Sequence, residues 1–176
     1  MNLLKCGAYT RRLQILILIT LLVSGTVHGG WLEAVEQIRP APPLKLVDIE
    51  DTVHDLSELK GRVVLVNFWT TWCPPCIEEM PSLVRLKEQI QPFDLVILTV
   101  NVQEKKGRVS TIASRLKLPF PVLLDSEREV GDAWEVKVFP STFLVDAKGR
   151  LRYRAIGPVE WDSDDVTSTI RRLLKE

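Results

Sequence analysis

Cysteine and histidine are scarce in these 176 residues, with three of the first and two of the second. A small scaffold stapled by several disulfides in place of a core is thereby excluded. Charge of one sign is missing as well: 23 Lys and Arg face 23 Asp and Glu, so no basic field exists to attract nucleic acid. Nor is the chain poor in apolar residues. At 45% hydrophobic and 26% charged, its composition is that of one globular domain rather than a disordered polymer. No internal repeat or low-complexity stretch interrupts it.

What is present begins with an uneven start. Residues 1–30 hold Lys5, Arg11 and Arg12 but no acid, and behind that basic cluster runs an apolar stretch from Leu13 to Val23. Small or polar residues follow through Gly29, with Val27 and Gly29 suited to the positions flanking a cleavage point. This is the layout of a secretory signal peptide. Its eleven-residue apolar core falls short of the ~20 residues that span a bilayer as a helix. A retained anchor is the alternative, since a bilayer thins around a short helix. Either way the body is expected to be exported, periplasmic or at the outer face of the cytoplasmic membrane, touching the membrane only through an uncleaved leader. The domain plan is a leader or anchor over 1–29, a linker over 30–40 held out of helix by Pro40 and the prolines after it, and one folded unit over 41–176.

Within that unit, Leu44 to Ile49 reads as a short strand and Asp55 to Gly61 as a helical turn closed by glycine. Val63 to Trp69 is nearly unbroken β-branched and aromatic sequence, the mark of a central strand covered on both faces. A helix follows the turn at 70–75, with Ile77, Met80, Leu83, Val84, Leu86 and Ile90 forming one apolar stripe. Pro81 lies inside it and predicts a kink. Then come a strand from Asp94 to Val100, a helix from Arg108 to Leu116, a strand from Pro121 to Leu124 and a helix from Glu127 to Trp134. A hairpin pairs Ser141 to Val145 with Leu151 to Ile156 around Asp146-Ala147-Lys148-Gly149. A last helix runs to Leu174, capped by Asp162 and Ser163. Alternating strands and helices followed by a hairpin predict an α/β fold, a central mixed sheet with helices on both faces.

Cys6 precedes the apolar run, so the body keeps one pair, Cys73 and Cys76, in Trp72-Cys73-Pro74-Pro75-Cys76. A disulfide closing so short a loop removes little chain entropy, which favours a working pair over a brace. A strand running into this motif and then a helix puts the first sulfur where unpaired N–H groups and the helix dipole favour thiolate. Cys73 is therefore the expected nucleophile and Cys76, one turn inside, the resolving thiol. Pro74 suits the first helical turn, where an N–H would be orphaned. Zinc needs four ligands, and the body offers two thiols and His54, so no metal is expected. Haem attachment needs His at position 77, which is Ile. A peroxidase reading needs Thr and Pro upstream of the nucleophile; Thr70 fits, but Val66 stands at the proline position. Trp31, Trp69, Trp134 and Trp161 read as packing residues, and Trp72, on an exposed turn, as cover or substrate contact.

From these residues the chain resembles the TlpA/ResA/CcmG group of thioredoxin-like thiol-disulfide oxidoreductases. The resemblance covers roughly residues 41–176. It rests on Val64 to Trp69 before the cysteine motif, Glu79-Met80-Pro81-Ser82-Leu83 after it, and Phe139-Pro140-Ser141-Thr142-Phe143-Leu144-Val145-Asp146 with Gly149. It implies a thioredoxin-like fold with an N-terminal extension and a central insertion. It implies that Cys73 attacks, that Cys76 resolves, and that Glu79 moves a proton beside them. Glu79 is three residues after Cys76 and shares its helix face, unlike Glu78; a solvated surface Glu is the plain alternative. Asn67 stands where ordinary thioredoxins carry a buried Asp, and an amide holds a hydrogen bond but exchanges no proton at neutral pH; it serves as structural support. Pro140 matches the cis proline of such folds, with Trp72, Pro74, Phe139 and Pro140 expected at the substrate. Val138 replaces a frequent Gly, which predicts a tighter loop and a narrower groove.

Two prolines between the cysteines offer neither charge nor donor, so a moderate reductant is expected rather than a strong oxidant. The resemblance implies protein thiols and disulfides as substrates, such as apocytochrome c thiols or copper-site cysteines, and a membrane thiol donor of electrons. No cofactor beyond the Cys73–Cys76 disulfide is expected. An oxidising or isomerising catalyst is the first alternative. A Cu(I)-carrying binding module is the second, with His54 the sole candidate for a further ligand.

Overall fold

The computed structural model describes residues 31–90 and 95–176. The leader, with Cys6 and the expected cleavage point, lies outside the described residues. Among the described residues, no helix is long and apolar enough to cross a membrane.

Strand β4 (Val63–Trp69) is buried at every position, as a run with no polar alternation must be if both its faces are covered. It pairs in parallel with β5 (Leu95–Val102) and antiparallel with β7 (Ser141–Val145). Outward from this centre come β6 (Val122–Asp125) beside β5, and β8 (Arg150–Ile156) beside β7. With β1 (Glu33–Pro40) the six-stranded order is β1-β8-β7-β4-β5-β6. A separate hairpin of β2 (Lys45–Val47) and β3 (Val53–Asp55) leads into a 3-10 turn at Leu56–Leu59, where the Asp55 carboxylate accepts from the Ser57 N–H.

The two faces of β4 enter two cores. Val63, Leu65 and Trp69 pack with α1 (Pro74–Gln89), α2 (Lys106–Leu116) and α4 (Asp164–Leu173) through Met80, Leu83, Leu86, Val109, Val166 and Ile170. Two successive parallel crossovers, β4-α1-β5 and β5-α2-β6, put both helices on one face, because such connections are right-handed. Val64, Val66 and Phe68 face the other way, toward Leu44, Val130 of α3 (Glu129–Ala133) and Trp134. There Trp134 lies between Phe68 and Phe143, with ring centroids 5.6 and 5.2 Å away. The second face is thus covered by a five-residue helix, the 3-10 turn and an aromatic cluster.

Three expectations need correction. Residues 33–40 are not a linker but edge strand β1, antiparallel to β8, with a register shift between Ala34 and Arg39. Its side chains are nearly all exposed, so it carries no period-two signal; the pairing is made by backbone, and Pro40 is tolerated at the strand's end. Ser163 takes the cap position of α4 but its side chain makes no cap bond, and Asp162 instead accepts from Arg85 Nε at 2.6 Å. Trp31 is not buried in the core: it is 63% exposed. Helix α1 continues through Pro81 as one 16-residue element.

Parallel β4 delivers the chain from its carboxyl end straight into the 70–73 turn and α1. Because β7 is antiparallel, its first residue, Ser141, sits opposite Phe68 near that same end. The Phe139–Pro140 loop is thereby brought alongside the cysteine turn.

Candidate active site

Cys73 and Cys76 are joined by a disulfide with Cα atoms 5.3 Å apart. Cys73 occupies the N-cap of α1, and Pro74 and Pro75 fill the next two positions without an N–H to offer. The first N–H of the helix therefore belongs to Cys76, and it points at Cys73 Sγ at 3.3 Å. That donor and the positive end of a 16-residue helix both favour negative charge on the Cys73 sulfur once the disulfide opens. Cys76 is fully buried, whereas Cys73 retains 5% exposure.

Glu79 is not a solvated surface residue; it is 3% exposed. Its Oε1 accepts from Asn67 Nδ2 at 2.7 Å, and its Oε2 accepts from the Val159 N–H at 3.1 Å and from Trp161 Nε1 at 3.2 Å. Burial disfavours the charged form, and the three donors oppose it without cancelling it. The carboxyl is pushed up from 4.5 to about 7. Asn67 lies on the same sheet face as Trp69 and also donates to Thr142 Oγ1 at 2.8 Å from the neighbouring strand. The segment that carries Val159 and Trp161 is stapled to α1. Ser82 Oγ accepts from the Trp161 N–H at 3.1 Å, and Arg85 reaches both Glu160 and Asp162.

The Phe139–Pro140 peptide bond is cis. Gly157 N–H donates to the Pro140 carbonyl at 2.9 Å, and Ser141 Oγ donates to the Val138 carbonyl at 2.6 Å, which holds the loop against β8 and β7. The Trp72 ring is 62% exposed and stands edge-on to Phe139, with centroids 6.1 Å apart. Exposed Pro74 and Val138 belong to the same rim.

Sequence reasoning missed two groups. Trp161, expected only to pack, also donates to Glu79. The other group is on the loop after β5: Glu104 accepts from the Thr71 N–H and from Thr71 Oγ1, both at 2.5 Å, and from Asn101 Nδ2 at 2.9 Å. Arg108 closes the cluster on Thr71 Oγ1 at 2.6 Å. Glu104 therefore clasps the turn two residues before Cys73, across 33 residues of sequence and with no spacing signal. His54, considered as a further copper ligand, has Nε2 engaged by Asp48 Oδ2 at 2.7 Å in the β2–β3 hairpin. Among the described residues, no group of three or more His, Cys, Asp or Glu is placed to hold a metal ion.

Comparison with known proteins agrees with this geometry. Residues 38–154 match the family model described as the AhpC/TSA family. The thiol-disulfide oxidoreductase ResA of Geobacillus thermodenitrificans is 36% identical over 144 residues, covering 80% of this chain and 83% of the relative. ResA of Bacillus subtilis is 33% identical, covering 80% of each. Among solved structures, a thiol:disulfide interchange protein of the thioredoxin family from Chlorobium tepidum superposes with a TM-score of 0.68 at 25% identity, over 78% of this chain and 99% of that one. The enzyme is a protein-disulfide oxidoreductase with a thioredoxin-like α/β fold, acting on protein thiols and disulfides. This chain belongs to the AhpC/TSA family and, within it, to the TlpA/ResA/CcmG-type thiol-disulfide oxidoreductases.

Proposed function

We propose that this oxidoreductase is an exported reductant of protein disulfides, with Cys73 as nucleophile, Cys76 as resolving thiol and Glu79 as the group that takes and returns the resolving proton. In the reduced enzyme the Cys73 thiolate attacks one sulfur of a client disulfide. A bond forms from Cys73 Sγ to that sulfur, the client S–S bond breaks, and the departing sulfur leaves with the electron pair and is protonated to a thiol. Cys76 then gives its proton to Glu79 and attacks Cys73 Sγ, which releases the second client sulfur and closes the Cys73–Cys76 disulfide. Two electrons pass to the client, and Glu79 returns its proton to the sulfur that leaves. The sulfur pair carries the electrons itself, with no other cofactor required. Re-reduction needs a dithiol donor, which for an exported enzyme is a membrane protein.

The observation that carries this reading is the Cys73 sulfur at the N-cap of α1, accepting from the Cys76 N–H. With Pro74 and Pro75 lacking N–H groups, that bond is the one donor of the first turn aimed at the sulfur. The thiolate is favoured, yet far less than by several donors, and a moderate stabilisation suits a reductant. Burial that brings Glu79 near neutrality suits proton transfer in both directions at working pH. The apolar rim of Trp72, Phe139 and Val138 suits a client held as extended chain beside the cis proline. Clients of this chemistry include apocytochrome c thiols and copper-site cysteines. The test is trapping: Cys76→Ala should accumulate a covalent adduct with a disulfide-bonded client and Cys73→Ala none. Equal trapping by both variants overturns the assignment.

A further inference from the structure

Among the described residues, the hydrogen-bond partners of the Glu79 carboxyl are all donors. Asn67 Nδ2 faces Oε1, and the Val159 N–H and Trp161 Nε1 face Oε2. That set fits a carboxylate, which only accepts. It does not fit the neutral acid, whose new O–H needs an acceptor at the oxygen that carries it. On Oε2 no acceptor can be turned in, because one donor is a backbone amide and the other an indole that only donates. Oε1 faces a group with an acceptor in reserve: Asn67 Oδ1 is buried and has no hydrogen-bond partner among the described residues.

We propose that the Asn67 side-chain amide is a reversible adaptor to the proton on Glu79, presenting N–H to the carboxylate and, after a half-turn, its carbonyl to the neutral acid. Thr142 tolerates both settings. Thr142 Oγ1 accepts from Nδ2 in the structure described, and a hydroxyl can donate to Oδ1 when the amide turns. On the other side the turned N–H group takes the place of Oδ1, which has no hydrogen-bond partner among the described residues. An Asp at position 67 could not do this, since it offers acceptors at both oxygens. The groups facing Glu79 are Asn67 from β4, the Val159 N–H and Trp161 indole from the segment before α4, and Cys76 one turn earlier on α1. A charged cluster, Arg85 with Glu160 and Asp162, ties that segment to the helix at an exposed position.

The proposal deepens the reading of Glu79 as proton carrier and rests on it. Asn67 is a positioning residue here: it turns with the proton and does not carry it. The test is NMR of the full oxidised protein, labelled with 13C at glutamate carboxyls and 15N at asparagine amides, titrated from about pH 5 to about pH 9. The expected result is that the Asn67 amide signals move with the same midpoint as the Glu79 carboxyl. The NOE from the Asn67 amide protons to Thr142 should be present above that midpoint and lost below it. In Glu79→Gln the Asn67 signals should cease to titrate. Asn67→Asp, which keeps the shape and removes the donor, should raise the Glu79 midpoint by about one pH unit or more. An NOE to Thr142 that persists on both sides of the Glu79 midpoint overturns the adaptor while leaving Glu79 as carrier intact. A pH–rate profile for disulfide exchange that is unchanged in Glu79→Gln sinks the carrier reading separately.

Discussion

Replacing Glu79 by Gln is expected to stabilise the oxidised protein at alkaline pH and to do so by an amount that disappears in acid. The carboxyl is raised from 4.5 to about 7, so the folded state holds this proton more tightly than the unfolded chain. Below both values the group is neutral in each state and contributes nothing to the pH dependence. Between them the unfolded chain ionises first and stability falls as pH rises. Above about 7 the full cost of an ionised buried carboxylate is present. At about 1.4 kcal/mol per pH unit, the cost is on the order of 3 kcal/mol. That is a sizeable part of the ~5–15 kcal/mol that keeps a domain folded. Gln keeps the shape and cannot ionise. Urea unfolding of both proteins at about pH 4 and about pH 8.5 isolates the effect, because every other titrating group is shared. The difference, Gln minus wild type, should move toward Gln by about 3 kcal/mol between the two conditions. A difference that is flat with pH, or that moves toward the wild type at high pH, would refute the claim that burial outweighs the three donors at Glu79.

Trp161→Phe removes one donor to the Glu79 carboxylate. Its midpoint should rise above about 7, read by the carboxyl titration or as an alkaline shift of the pH–rate profile. Glu104→Ala leaves the Thr71 N–H and Asn101 Nδ2 without their acceptor; it should cost about 1–3 kcal/mol in urea unfolding and slow disulfide exchange by loosening the turn before Cys73. Trp72→Ala should leave stability within about 0.5 kcal/mol, since the ring is largely exposed, while raising KM for a peptide disulfide.

A group that is costly to keep charged is at odds with stability alone, and perturbed carboxyls of this kind cluster where chemistry is done. Glu79 also shows how much of the site could be read in advance. Its place three residues after Cys76 puts it on the cysteine face of α1 by helical geometry alone. Its burial, and hence its titration, depends on Val159 and Trp161, which arrive from 80 and 82 residues away. No local pattern announces that arrival. Trp161 looked like core because it is core, and its indole N–H found a partner only once the segment before α4 was laid across the helix. Glu104 is the stronger case: a charged residue in a loop has no periodicity, and its role exists only because parallel pairing brings the end of β5 beside the end of β4. Strand β1 was missed for a related reason, since an exposed edge strand is held by backbone bonds and shows no alternation of side chains.

Local chemistry therefore determined the elements whose instructions are local. The unbroken apolar run of β4 demands burial on both faces, and two prolines between the cysteines begin a helix while withholding their own N–H groups. An apolar stripe turns α1 toward the sheet. Tertiary structure decided whatever depends on distance across the fold: the cis Phe139–Pro140 loop set against Trp72, the clasp of Glu104 on Thr71, and the ring of donors around a buried Glu79. The reason is physical. Helix and strand propensities act between residues a few positions apart, whereas desolvation and hydrogen bonding of a titrating group are set by whatever the folded chain packs around it.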